Sequence, residues 1–386
     1  MSKLEKLLQS VEVEWKALGE VAELKRGTTI TAKTKVNGNI PVISGGQKPA
    51  YYNSVNNRDG ETITVAGSGA YAGFLMYWNE PIFVSDAFSV IPYHSVLNTR
   101  YVFHFLLNNQ TWIHNLQKGS GVPHVYAKDL AKLTVPIPPL PVQQEIVRIL
   151  DTFTELTAEL TAELTARKKQ YSFYREALLG FYDGDVQHLP MGDESIGKFI
   201  RGGGLQKKDF TKTGVGCIHY GQIYTYYGTY TDKTKSFVSE EFAKKARMAK
   251  HGDLVIATTS ETDDDVCKAV AWLGDEEIAV SSDACFYTHC LNPKYVAYFF
   301  QTEQFQKQKR PFITGTKVRR VNADDLAKIK IPVPSQEEQE RIVTILDKFD
   351  ILTTSISEGL PKEIELRKKQ YEYYRDRLLT FKMSEL

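Results

Sequence analysis

Two hydrophobic periods alternate along the chain, and the alternation occurs twice. Short apolar runs of strand length, such as Thr62–Val65, Ile82–Val84 and Leu254–Ala257, are broken by Gly, Asn and Asp turns. Each β-rich stretch is followed by one predicted helix. Asn98 caps the first, and Asn292 with Pro293 in the first turn caps the second. The apolar faces carry Tyr101, Phe105, Leu106, Ile113 and Leu116, or Tyr295, Phe299, Phe300 and Phe305. Gly119 is expected to close the first helix; Gly315 falls beyond Pro311, past the second. A proline run, Pro136–Pro139 or Pro332–Pro334, then marks a stiff boundary.

Beyond each boundary the period becomes that of a two-stranded seam, alternately four and three in the first copy and with one four-residue step more in the second. The first stripe is Ile146, Leu150, Phe153, Thr157, Leu160, Leu164, Arg167, Tyr171, Tyr174 and Leu178. The second is Ile342, Leu346, Phe349, Leu352, Ile356, Leu360, Ile364, Tyr371, Tyr374 and Leu378. The first contains a Thr-Ala-Glu-Leu tetrad twice, at 157–160 and 161–164; Gly359 and Pro361 predict a kink in the second.

The two halves are copies. Residues 119–151 and 315–347 share 16 identities in 33 positions at a constant offset of 196, and Arg167–Tyr171 returns as Arg367–Tyr371 at an offset of 200. The period is too long for a solenoid, so each copy is a domain with a connector. The repeat is cyclic, because 176–192 echoes 5–19, and a chain of this kind closes into a two-fold ring with its long segments antiparallel.

Composition changes this picture little. The 386 residues are 42% hydrophobic and 25% charged, which suits two cores of about 150 residues each. No leading apolar segment or 18-residue apolar run is present, so a cytoplasmic location is expected. Cys217, Cys267, Cys285 and Cys290 lack metal or disulfide spacing and lie in one copy only, which predicts buried free thiols. The net charge of +1 argues against coating nucleic acid by charge alone. Basic residues nevertheless cluster beside glycines: Lys25–Gly27, Arg201–Gly204 with Lys207 and Lys208, Lys307–Arg310, and Lys317–Arg320.

Catalytic patterns come only as near misses. Gly192–Phe199 has the glycines and lysine of a phosphate loop but Phe where Ser or Thr must hold Mg²⁺, and reads as a turn entering a strand. Gly67–Gly73 lacks the third glycine and following helix of a dinucleotide loop. Asp263–Asp265 has no partner ligands and reads as a solvated loop; the ten-residue spacing of His94, His104, His114 and His124 matches no structural period. What remains is recognition surface. The loops 119–124 and 315–320 hold equivalent places with different tips, as expected where one frame reads two sequences.

In combination, these features resemble the specificity subunits of type I restriction–modification systems. The carriers are the paired PxPxxxxQ segments running to Phe153 and Phe349, the RKKQYxxYRxxLL blocks at 167–179 and 367–379, the opening Val11–Trp15 with Leu18–Val21, and the two-copy order. The resemblance implies an α+β (α/β-type) fold of two β-rich target recognition domains, 1–140 and 182–333, separated by two long antiparallel coiled-coil helices, 141–181 and 334–386, as spacers. It implies a non-catalytic subunit that reads a bipartite, asymmetric double-stranded DNA target. Its partners would be two methyltransferase subunits and restriction subunits, with S-adenosylmethionine, ATP and Mg²⁺ bound only by those partners. The residues expected at DNA are Lys25, Arg26, Lys33, Lys35, Lys118, Ser120, His124, Arg201, Lys207, Lys208, Lys309, Arg310, Lys317, Arg319 and Arg320. Two other readings stand beside it: the recognition module of a fused or solitary methyltransferase, and a protein-only coiled-coil scaffold.

Overall fold

The computed structural model describes residues 11–31, 33, 36–181, 184–355 and 357–381. Lys35, Ile356 and part of the 5–19 echo lie outside the described residues.

The chain divides into two compact units, and one of them is discontinuous. The first comprises Met1–Leu160 with Ile364–Leu386; the second is Thr161–Glu363. Each is built on an antiparallel sheet with the same strand order. In the first it runs Ala22–Arg26, Ala87–Pro92, Glu61–Ala66, Leu75–Asn79. In the second it runs Gly197–Arg201, Ala284–His289, Leu254–Ala257, Ala269–Trp272, with Tyr230–Thr231 added in parallel at the edge. The central strands Glu61–Ala66 and Leu254–Ala257 are buried along nearly their whole length, which is why they read as continuous apolar runs rather than alternating ones. A smaller mixed sheet flanks each: Tyr51–Asn53, Ile40–Ile43 and Phe83–Val84 in one, and Ser236–Val238, Val215–Ile218, Ile278–Val280 and Met248–Ala249 in the other.

The single helix expected after each β-rich stretch is two helices in both copies, Thr99–Asn108 with Gln110–His114 and Pro293–Phe299 with Glu303–Lys309. Asn98 and Asn292 cap as expected, accepting from Tyr101 N–H and from Lys294 and Tyr295 N–H. The division comes from side chains that compete with the backbone. Asn109 Nδ2 donates to the Phe105 carbonyl at 2.8 Å, and Thr302 Oγ1 accepts from Phe305 N–H while donating to the Phe299 carbonyl. Gly119 therefore closes no helix; Asn115 does.

The first connector is one 40-residue helix, Leu140–Leu179, about 60 Å long. The second is interrupted, as Gly359 and Pro361 imply. Gln336–Thr354 ends in extended backbone at Ser355, and Gly359–Leu379 begins at a glycine with φ +80° whose missing Cβ would lie 2.5 Å from the Ile351 carbonyl oxygen. Each domain is closed by the last turns of the other copy's helix. Leu378 and Leu379 join Leu18, Tyr101, Ile146 and Leu150 in the first core, and Tyr171 and Leu179 join Tyr295, Ile342 and Leu346 in the second. Phe153 stacks on Tyr374 at 5.1 Å, and Phe349 on Tyr171 and Tyr174 at 6.2 and 5.3 Å. Along the stripe, Leu160, Leu164 and Tyr371 are half-buried and Leu360 is buried.

The duplicated residues latch each domain to its helix. Gln143, fully buried, accepts from Asn98 N–H at 2.8 Å and donates to the Pro138 and Val96 carbonyls. Gln339 accepts from Asn292 N–H at 2.8 Å and donates to the Pro334 carbonyl at 3.0 Å. Tyr101 and Tyr295 hydroxyls donate to the Pro136 and Pro332 carbonyls. Asp151 receives Arg100 and the buried His104, and His104 reaches the Tyr371 hydroxyl with its other nitrogen. Burial alone would raise the Asp151 pKa, but these partners outweigh it and hold the carboxyl below its ordinary value. Asp347 instead receives Lys294 and Tyr298, each at 2.6 Å. His104 is therefore part of the latch.

Cys217, Cys267 and Cys285 are buried free thiols, and burial pushes the first two up to about 12. Cys290 is exposed, contrary to expectation, because it follows the last buried stretch of Ala284–His289 at the sheet margin. No helix among the described residues is long and apolar enough to cross a membrane.

Candidate nucleic-acid interface

Four segments meet at one end of the central sheet, and the meeting is built twice. In the first unit, Gly27 and Thr28 donate to the Ala87 and Val84 carbonyls, Gly67 to Asp86, Gly69 to Pro123, and Val125 to Gly67. This joins the Arg26–Thr28 turn, the Ser85–Asp86 turn, the glycine loop 67–73 and the hairpin 118–124. In the second, Gly202 and Gly203 donate to Ala284 and Val280, Thr258 to Asp283, and Thr259–Ser260 pair with Arg319–Arg320.

Glycine is needed where these segments touch. A Cβ on Gly27 would lie 2.2 Å from the Ser85 oxygen, and one on Gly202 2.0 Å from that of Ser281. Gly119 and Gly315 both adopt positive φ, at +111° and +88°, and turn the equivalent hairpins. The basic clusters at Lys25–Gly27, Arg201–Gly204 and Lys317–Arg320 are thus sheet-end turns or hairpins, whereas Lys307–Arg310 lies in the helix Glu303–Lys309 and the turn after it.

An arginine braces the basic turn in each unit. Arg58, almost fully buried, donates from Nη2 to the Lys25 and Arg26 carbonyls at 3.2 and 3.1 Å and from Nε to Ser89 at 2.7 Å. Arg247 donates to the Arg201 carbonyl at 2.9 Å. Neither stood out in the sequence, since no pattern distinguishes a bracing arginine from a surface one. Burial lowers the Arg58 pKa against the opposing pull of Glu23.

Lys25, Arg26, Lys33, Ser120, Arg201, Lys207, Lys208, Lys317 and Arg320 are exposed. His124 is half-buried, stacked on Tyr126 with ring centres 6.0 Å apart, and bridges to Ser68 through backbone. Lys118 pairs with Asp129 at 2.7 Å and Arg310 with Glu303 at 3.6 Å. The exposed Arg310–Glu303 pair is weak enough to exchange for a phosphate, whereas Lys118 is held by the buried Asp129. Arg319 Nε lies 2.7 Å from Asp263, and its guanidinium donates to the Gly315 carbonyl, so it shapes the hairpin.

Lys309 is a correction. It is fully buried, and its ammonium donates to the carbonyls of Asp263, Asp264 and Val266 at 2.9, 3.2 and 2.8 Å. It cannot reach DNA; it anchors the acidic loop from beneath, and burial lowers its pKa. In the first unit His114 and Gln117 meet the Ala72 carbonyl at the corresponding place. Asp263–Asp265 thus form an exposed loop with a pinned backbone, and among the described residues no group of His, Cys, Asp and Glu is arranged to hold a metal.

The family model for the type I restriction modification DNA specificity domain matches residues 10–167 and 194–366. The chain belongs to the type I restriction–modification specificity subunits. A type I restriction enzyme specificity subunit of Haemophilus influenzae is 33% identical over 407 residues, covering 98% of each chain. One from Escherichia coli is 32% identical, covering all of this chain and 98% of the relative. The solved S subunit of Mycoplasma genitalium superposes with a TM-score of 0.63 at 15% identity, covering 99% of this chain and all of that one. A chain from a structural study of complex assembly and conformational transition in the type I system gives 0.56 at 16%, covering 96% and 98%. These two likenesses establish the fold.

This specificity subunit is therefore the non-catalytic, DNA-recognising component of a system in which modification and restriction subunits do the chemistry. Membership sets aside the protein-only scaffold.

Proposed function

We propose that this specificity subunit reads a bipartite, asymmetric duplex target, one half-site with each sheet-end face, and carries adenine methyltransferase and restriction subunits to it. The observation behind this is the duplicated four-segment face. Its glycine turns and hairpin are shared, while its tips differ: His124 and Ser120 in the first domain, Lys317 and Arg320 in the second. Shared backbone positions a protein on phosphates, whereas different side chains specify different bases. Domains 1–140 and 182–333 do the reading, and segments 141–181 and 334–386 act as the spacers. S-adenosylmethionine, ATP and Mg²⁺ belong to the partner subunits, and the assembly works in the cytoplasm.

Sequencing methylated adenines in the host, with and without this gene, tests the reading. A two-part motif with unlike halves is expected to disappear with the gene; a contiguous or palindromic motif overturns it. Arg320→Ala in the assembled methyltransferase tests the face. If Arg320 meets a phosphate, affinity falls on every sequence and the salt slope drops by about one. An unchanged slope with unchanged affinity removes Arg320 from the interface.

A further inference from the structure

The second domain holds a cavity of about 560 Å³ against its sheet-end face. Tyr220 and Tyr224 form one wall, Val318 from the Gly315 hairpin another, and Glu261, Asp265 and Lys268 stand at the rim. The site is assembled rather than incidental. Tyr220 N–H donates to Ser281 Oγ at 2.9 Å, and the Tyr224 hydroxyl donates to the Thr259 carbonyl at 2.8 Å. The loop carrying Asp265 is pinned from beneath by Lys309 through the Asp263, Asp264 and Val266 carbonyls. The rim side chains need not reorganise a wall already fixed.

Among the described residues the first domain is built differently at the equivalent place. Where Val215–Ile218 leads into the helix Tyr220–Thr225, Ile40–Ile43 leads into Gly45 and Gly46. A Cβ on Gly45 would lie 2.4 Å from the Ser68 carbonyl oxygen, so there the two loops touch.

The rim chemistry selects its ligand. Glu261, Asp265 and the neighbouring Asp264 repel phosphate, Asp263 being paired with Arg319, while Arg201 and Arg320 on the flanking turns attract it. A duplex on this face therefore presents base edges, not backbone, to the cavity mouth. Carboxylates accept from cytosine N4, and a lysine donates to guanine O6 and N7; lining one cavity, these groups match the donors and acceptors on the major-groove edge of a C·G pair.

We propose that this cavity is the second domain's base-reading site, with Glu261 or Asp265 accepting from a cytosine amine and Lys268 donating to the paired guanine. The proposal rests on the DNA-reading function above and names where one base pair of one half-site is specified.

The test uses the complete methyltransferase assembly with Glu261→Ala and Lys268→Met, both exposed positions whose loss leaves the core untouched. Methylation is read on the host genome and on duplexes carrying each of the four base pairs at every target position. At one C·G position in one half-site, discrimination is expected to fall roughly ten- to a hundred-fold, with the other half-site unchanged. Unchanged discrimination at all positions overturns the proposal, as does uniform loss of methylation in an intact assembly, which would mark a structural role. The parent assembly is the control: if it directs no motif-specific methylation, the DNA-reading function itself fails, whatever the variants do.

Discussion

Inserting a third Thr-Ala-Glu-Leu tetrad after Leu164 is expected to leave both half-sites unchanged and to lengthen only the unspecified gap between them. The helix Leu140–Leu179 is unbroken through both existing tetrads, and the division between the two compact units falls between them, after Leu160. Four more residues add about 6 Å of helix. A four-residue step is a stutter, which keeps the apolar stripe near its face, so the half-buried Leu160 and Leu164 positions have a successor in the added turn. With base pairs about 3.4 Å apart along each strand, the gap should grow by a small whole number of pairs. The methylation motif of the insertion variant decides the matter. An altered half-site, or an unaltered gap in an active assembly, would show that the helices do not set the spacing.

Gln339→Ala should cost the second unit about 3 kcal/mol. Gln339 is 4% exposed and satisfies the Asn292 N–H and the Pro334 carbonyl. Removing it strands both groups where water cannot readily replace it, and each unsatisfied buried group costs about 1–3 kcal/mol. The mutation also opens a cavity where the capped helix meets the proline boundary. Denaturant unfolding measures the loss, with the exposed Gln336→Ala as a control expected within about 0.5 kcal/mol of the parent. A cost below about 1 kcal/mol would mean that solvent reaches the site and that the latch does not hold the domain to its helix.

These two sites show what the sequence made legible. Ile146, Leu150, Ile342 and Leu346 follow a period that only a buried helix face explains, and all four are buried. Gly359 announced its break because no other residue tolerates that backbone so near the Ile351 carbonyl. Charge was a poorer guide. Lys309 and Lys208 read alike in the chain, yet one is fully buried among carbonyls and the other exposed. The difference is made by a loop more than forty residues away in sequence, which no local pattern encodes. His104 was obscured in the same way, since its partners Asp151 and Tyr371 come from two separate helices.

The discontinuity of the first unit fixes an order of assembly during synthesis. The second unit is one continuous stretch and has all its core residues once Glu363 has left the ribosome. The first has had its sheets since early in translation but lacks Tyr371, Tyr374, Leu378 and Leu379 until synthesis has passed residue 379. The domain that is made first is therefore finished last. A nascent chain waits with the underside of its N-terminal domain uncovered, and a premature stop near residue 365 damages the opposite end of the sequence from the one it truncates.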